Sequence, residues 1–292
     1  MIHLKLLLMA LFWGGTFVAG KIAAQSMGPF SAAFLRFFMA TLFLLPLTLM
    51  YEKRLPLLTG RRLALVASLG CTGVFAYNYF FFSGLHLINA SRAAVIIATQ
   101  PIFIALFSAF LFGEAITPIR GFGIILSVCG AIVVISRGNP AALLHGAIGP
   151  GELFIFGGVA SWVTYSLIGK VAMKELPPFA TVTYAAGMGM LGLFVPACLE
   201  GMPAGIASYP PSAWLSLAYL AFFGTAVAFT WYYQGIGAIG PSRAGVFINF
   251  VPVSAVILSL FLLSESLSWS LLTGLIMVTG GVFMANRKPA NA

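Results

Sequence analysis

Ten runs of about twenty residues, continuous in apolar side chains and separated by short joints, leave this chain almost no choice of architecture. Crossing about 30 Å of hydrocarbon takes about 20 helical residues at about 1.5 Å rise each. The runs lie at about 6–25, 29–50, 63–85, 92–113, 119–136, 152–173, 178–199, 213–235, 241–263 and 269–286. They are too long and too uniformly apolar for outer-membrane strands, whose residues alternate between lipid and lumen. In lipid every backbone N–H and C=O needs an internal partner, so helices remain. Composition agrees, with 61% hydrophobic and 7% charged residues, where a soluble domain carries about a quarter charged. The fold expected is an all-α polytopic membrane protein of ten transmembrane helices. The longest joint, at about 137–152, has no room for a soluble domain.

The chain repeats itself. Trp13 to Lys21 recurs as Trp162 to Lys170, with Gly20 matching Gly169. The stretch from Gly84 to Glu114 aligns without gaps onto Gly235 to Glu265. There Ser91-Arg92-Ala93 meets Ser242-Arg243-Ala244, and Pro101 meets Pro252. Pro29-Phe30 meets Pro178-Phe179, and Gly123 and Gly130 meet Gly274 and Gly281. The repeats cover residues 1–137 and 150–286. Five helices each is an odd number, so the second copy enters the membrane from the opposite side. Membership of the repeat also argues that the first run is a retained helix rather than a signal peptide, despite Lys5 ahead of it.

Inversion can be tested against the positive-inside rule. With the N-terminus cytoplasmic, Lys5, Lys53, Arg54, Arg61, Arg62, Arg120, Lys174, Arg243, Arg287 and Lys288 fall inside, and only Arg92 and Arg137 fall outside. Both termini are therefore expected in the cytoplasm, with the protein in the cell (inner) membrane. This distribution also accounts for the net charge of +9 without a nucleic-acid partner. Cys71, Cys129 and Cys198 have no disulfide or metal spacing, and there is no aspartate. Neither a metal nor a cofactor is expected, and a membrane-embedded enzyme would lack convergent His, Asp or Glu at depth.

The Trp-Gly-Gly-Thr-Phe-Val-Ala-Gly-Lys run at 13–21, the Ser-Arg-Ala start of the fourth span, Pro101 and Glu114 resemble the EamA-type repeat of the drug/metabolite transporter superfamily. The resemblance covers both halves. It implies ten helices, a central cavity and transport of small metabolites such as amino acids, with export as the direction by analogy. Inverted repeats suit this, since equivalent halves can exchange conformations around one midplane site. The halves differ where Gly14-Gly15 become Val163-Thr164 and where Arg36 becomes Ala185.

Polar groups inside a span usually face a bundle interior or a cavity. Trp13, Thr16, Tyr77, Asn78, Thr99, Gln100, Trp162, Tyr165, Tyr232 and Asn249 are the candidate substrate-binding residues. Interhelical packing is the competing role for each. Pro101 and Pro252 each remove an N–H and free the carbonyl four residues earlier, which marks them as hinges. Lys21, Arg36 and Lys170 are charges within spans, candidates for cavity mouths. Arg92 with Glu265 outside, and Arg243 with Glu114 inside, are candidate gating ion pairs. No carboxylate lies near the midplane, which disfavours proton-coupled export of organic cations. The expected function is efflux of a small amino acid or related zwitterion or carboxylate, with a small-molecule substrate and the lipid bilayer as partners. Export of hydrophobic or aromatic compounds is the second transport reading, and a non-transporting structural or sensory membrane protein is the alternative of another class.

Overall fold

A computed structural model describes residues 1–112, 117–139, 148–239 and 247–285, and no strand occurs among them. The helices are α1 (Ile2–Ser26), α2 (Pro29–Glu52), α3 (Gly60–Leu87), α4 (Ala90–Ile97 continuing as Gln100–Phe112), α5 (Pro118–Ile135), α6 (Pro150–Ala172) and α7 (Pro178–Leu199). They are followed by α8 (Pro211–Ala221, Phe222–Val227 and Ala228–Ile239 in succession), α9 (Phe247–Leu262) and α10 (Trp269–Ala285). Among the described residues, eight helices are long and apolar enough to cross a membrane, and α9 and α10 are shorter apolar helices. Proline opens α2, α5, α6, α7 and α8 at the first helical position, where its missing N–H costs nothing. Large apolar side chains such as Phe110, Leu199, Phe261 and Trp269 stand exposed, a surface suited to lipid.

Two contacts establish the inversion. Repeat-equivalent helices α2 and α7 lie antiparallel, each capping the other. The Glu52 carboxylate at the end of α2 accepts hydrogen bonds from the N–H groups of Phe179 (2.7 Å) and Ala180 (2.9 Å) at the start of α7. Glu200, just past α7, accepts from Phe30 N–H (3.3 Å), Ser31 N–H and the Ser31 hydroxyl (both 2.6 Å) at the start of α2. Each carboxylate thereby satisfies N–H groups left open at a helix start and opposes the positive end of its dipole. About one turn in from the Glu52 cap, the Thr48 and Thr183 hydroxyls meet at 2.6 Å. The second antiparallel pair of equivalents is α5 and α10. A Cβ on Gly281 would come 2.5 Å from the Gly123 carbonyl oxygen, and one on Gly130 would come 2.9 Å from that of Gly274. Small residues let backbones approach this closely in lipid, where apolar burial gives no drive for association.

The repeat extends to irregular winding. Gly70–Ala76 in α3 and Phe222–Val227 in α8 are wider turns of π type, at matching positions. In α4 the helix changes winding at Ala98–Thr99, ahead of Pro101, and the Thr99 hydroxyl donates to the Ile96 carbonyl at 2.6 Å. In α9 the tight turn Phe247–Asn249 precedes Pro252 in the same way. The halves differ where the sequence differs. A Cβ on Gly14 of α1 would lie 2.5 Å from Ser254 Cβ of α9, whereas α6 carries Val163 at that position and cannot make the same approach to α4.

Candidate functional site

Arg36 of α2, Tyr77 and Asn78 of α3, Gln100 of α4, and Trp162 and Tyr165 of α6 form one buried group. All lie about 10–22 Å along their helices from the ends near residues 29, 87, 90 and 150. The π turn of α3 sets Asn78: its side-chain Nδ2 donates to the Val74 carbonyl at 2.8 Å, inside that turn. This leaves Asn78 Oδ1 facing Arg36, whose Nη1 donates to it at 2.9 Å. Asn78 is 1% exposed and Arg36 9%. The Tyr77 hydroxyl lies near both Arg36 and Gln100. Tyr77 and Trp162 ring centres are 5.1 Å apart, as are those of Trp162 and Tyr165. A Cβ on Gly73 would overlap the Tyr165 ring, so the π turn also makes room for it. Arg36, expected at a mouth, belongs instead to this interior group.

A second group gathers where α1 meets α8. The Trp13 indole N–H donates to the Gly224 carbonyl, at 2.9 Å, in the π turn of α8. Trp13 packs against Tyr232 and Phe229, with ring centres 5.6 Å and 5.5 Å apart. Thr16 donates to the Trp13 carbonyl at 2.6 Å and lies against Gly224. Thr16 and Tyr165, equivalent in the repeat, thus each press on the glycine of a π turn in the other half. Tyr219, not singled out from sequence, donates to the Phe12 carbonyl at 3.0 Å. Thr99 is used up in the winding change of α4. Asn249 sits in the turn that opens α9, with Nδ2 buried and unbonded.

The expected outer ion pair is not made. Glu265 accepts from the N–H groups of Ala90 (2.8 Å) and Ser91 (3.1 Å) and from the Ser91 hydroxyl, closing the start of α4. Arg92 turns to α6, pairing with Glu152 at 2.9 Å and donating to the Ile135 carbonyl at 2.6 Å. Open N–H groups at a helix start offer a carboxylate several short bonds and a favourable dipole. A cation two residues further on must therefore find its anion elsewhere. Glu114 and Arg243 lie outside the described residues. Lys21 donates to the Ile88 carbonyl (3.0 Å) and, more weakly, to that of His86 (3.4 Å) at the end of α3. It lines, with Asn89 and Glu265, a cleft of about 400 Å³. A neighbouring cleft of about 530 Å³ is lined by Arg92, Arg137 and Glu152. Lys170 is exposed in the last turn of α6.

Residues 1–136 and 149–287 each match the EamA-like transporter family. The chain is 28% identical to uncharacterized transporter YyaM of Bacillus subtilis (strain 168), over 98% of this chain and 93% of that protein. It is 30% identical to uncharacterized inner membrane transporter YedA of Escherichia coli (strain K12), over 97% of this chain and 92% of that protein. A crystal structure of a protein 23% identical shares the fold with a TM-score of 0.64, covering 97% of this chain and 96% of the other. One family match falls on each of two antiparallel halves that share π turns, winding changes and glycine contacts, and this polytopic membrane protein belongs to the EamA-like transporter family.

Proposed function

We propose that the protein exports a small amino acid, or a related zwitterion or carboxylate, across the cytoplasmic membrane by alternating access. The observation that carries the reading is the matched change of winding in α4 and α9, ahead of Pro101 and Pro252. Broken helices at equivalent places in inverted repeats are where transporters of this architecture bind and bend. Glu265 ties the end of α9 to the start of α4 on one face, a contact that a second conformation would release. Export follows by analogy with the family. The ring group Tyr77–Trp162–Tyr165 favours, as a second reading, aromatic or hydrophobic compounds as the cargo.

Proteoliposomes holding the purified protein are expected to accelerate counterflow of at least one radiolabelled amino acid or small carboxylate, and not of aromatic dyes. Dye movement alone favours the second reading, and movement of no solute overturns transport of either class.

The contacts of Arg61 with Glu175 and of Lys5 with Gln234 lie on the side to which the charge distribution assigns Arg61, Lys174 and Lys5. With ten basic residues on the face that holds both termini against two on the other, that face is the cytoplasmic one. Alkaline phosphatase fused after Arg137 is expected to be active, and fused at the C-terminus inactive; the reverse pattern overturns this orientation.

A further inference from the structure

We infer that Arg36 is the carboxylate-binding residue of the substrate site, an assignment that rests on the protein being a transporter of such solutes. The inference comes from an imbalance of charge and hydrogen bonds. Arg36 is nine-tenths buried, and among the described residues no carboxylate pairs with it. Its one hydrogen bond runs from Nη1 to Asn78 Oδ1, and its Nε is buried with no partner. A guanidinium in a low-dielectric interior is costly unless paired, so a native chain rarely keeps one that only packs.

The neighbourhood leaves more than one buried donor without a partner. Gln100 Nε2, also buried, makes no hydrogen bond. The Tyr77 hydroxyl stands near both Gln100 and Arg36. Asn78 Oδ1 accepts from Nη1, and the π turn fixes it there. That placement leaves the Nε edge of the guanidinium unbonded, and this edge matches the two oxygens of a carboxylate side-on. A phosphate would also fit a guanidinium edge, yet among the described residues no second cation stands beside Arg36 to share its larger charge. The other end of the substrate meets the rings of Tyr77, Trp162 and Tyr165. Those faces accept an apolar side chain, and also an ammonium group through cation–π attraction without a buried acid. The repeat puts Ala185 where Arg36 would recur, so there is one such cation and one carboxylate per transport cycle.

The test uses purified full-length protein and thermal melting. The probes are free amino acids and small monocarboxylates, each beside its primary amide and its decarboxylated amine. Carboxylates are expected to raise the melting temperature where their amides and amines do not, because a ligand that binds only the folded state stabilises it. Arg36→Met is expected to abolish that shift, and Arg36→Lys to reduce it. Without ligand, Arg36→Met is expected to melt at or above the wild-type temperature, since it removes an unpaired buried charge. A clear fall in the ligand-free melting temperature would instead mark Arg36 as a packing residue and overturn the inference. Should Arg36→Met fail to fold, that counts as such a fall and overturns the inference. Equal shifts with acids and amides overturn the carboxylate assignment. Proteoliposome counterflow separates the two layers of the argument. Transport of a carboxylate at wild-type rate by Arg36→Met refutes the binding role and leaves the transporter standing. A carboxylate-dependent melting shift without movement of any solute keeps the binding site and refutes transport.

Discussion

Gly281→Leu and Gly130→Leu are expected to disrupt the protein more than any other single substitution along α5 and α10. A Cβ on Gly281 would approach the Gly123 carbonyl oxygen to 2.5 Å and the Ser127 nitrogen to 2.6 Å. On Gly130 it would meet Met277 Cβ at 2.7 Å and the Gly274 oxygen at 2.9 Å. Most of these neighbours are backbone atoms, which cannot rotate aside, so whole helices must separate. Overpacking costs about 1–3 kcal/mol even where side chains can yield, and a rigid backbone puts these variants at or above the upper end. In lipid, moreover, separation forfeits the close packing on which helix association depends. Gly121→Leu is the control, because a Cβ there meets nothing within 4 Å and any gain in helix propensity is the same. Yield of folded protein in detergent and its melting temperature are the measurements. Indistinguishable melting of Gly281→Leu and Gly121→Leu would mean that α5 and α10 do not pack through their glycines.

Those four glycines show what was legible in the sequence. Gly123, Gly130, Gly274 and Gly281 stand out there as repeat matches, and an odd number of helices per repeat already requires α5 and α10 to run in opposite senses. That they touch each other, backbone to backbone, is a tertiary fact with no local signature. The π turns are similar. One extra residue in a turn rotates the residues beyond it, but in spans apolar on most sides the shift is not seen, with only Gly73 and Gly224 as a trace. Yet those turns orient Asn78 and receive Trp13, so the least visible feature positions the most polar part of the site.

The glutamates illustrate a different limit. Their place at span ends is plain from the chain, but not their partners. Glu52, Glu200 and Glu265 all choose the N–H groups of a helix start in the opposite half, and only Glu152 and Glu175 of the described glutamates pair with arginine. Several directed N–H donors at a dipole's positive end compete well with one flexible cation, and the outcome depends on which helix ends are neighbours. The ten candidate binding residues separate for a related reason. Equivalent residues occupy equivalent places, so Trp13 with Thr16 and Trp162 with Tyr165 form two groups against two π turns.

Glu265→Gln is expected to shift the protein toward an outward-open form. The carboxylate accepts from Ala90 N–H, Ser91 N–H and the Ser91 hydroxyl, with Lys21 close enough to interact with it. A glutamine keeps the shape and removes the charge. Its single oxygen can serve part of this donor set, while its NH2 group faces donors and gains nothing. Hydrogen bonds to charged groups contribute about 1.5–3 kcal/mol each, so losing about 2 kcal/mol of the latch shifts the equilibrium by roughly thirtyfold. Cys71, Cys129 and Cys198 are free and must first be replaced. A single cysteine at Thr16, which lies against the π turn of α8, then reports exposure of the interior to a membrane-impermeant maleimide added outside. Labelling is expected to rise severalfold or more in Glu265→Gln and less in Ser91→Ala, which removes one of the three bonds. Glu200→Gln is the control on the same face. It weakens the cap between α7 and α2 rather than the tie between α9 and α4, and should lower stability without raising the labelling rate. If Glu265→Gln labels no faster than the parent, Glu265 is a cap and nothing more, and the outer face must be closed by other contacts.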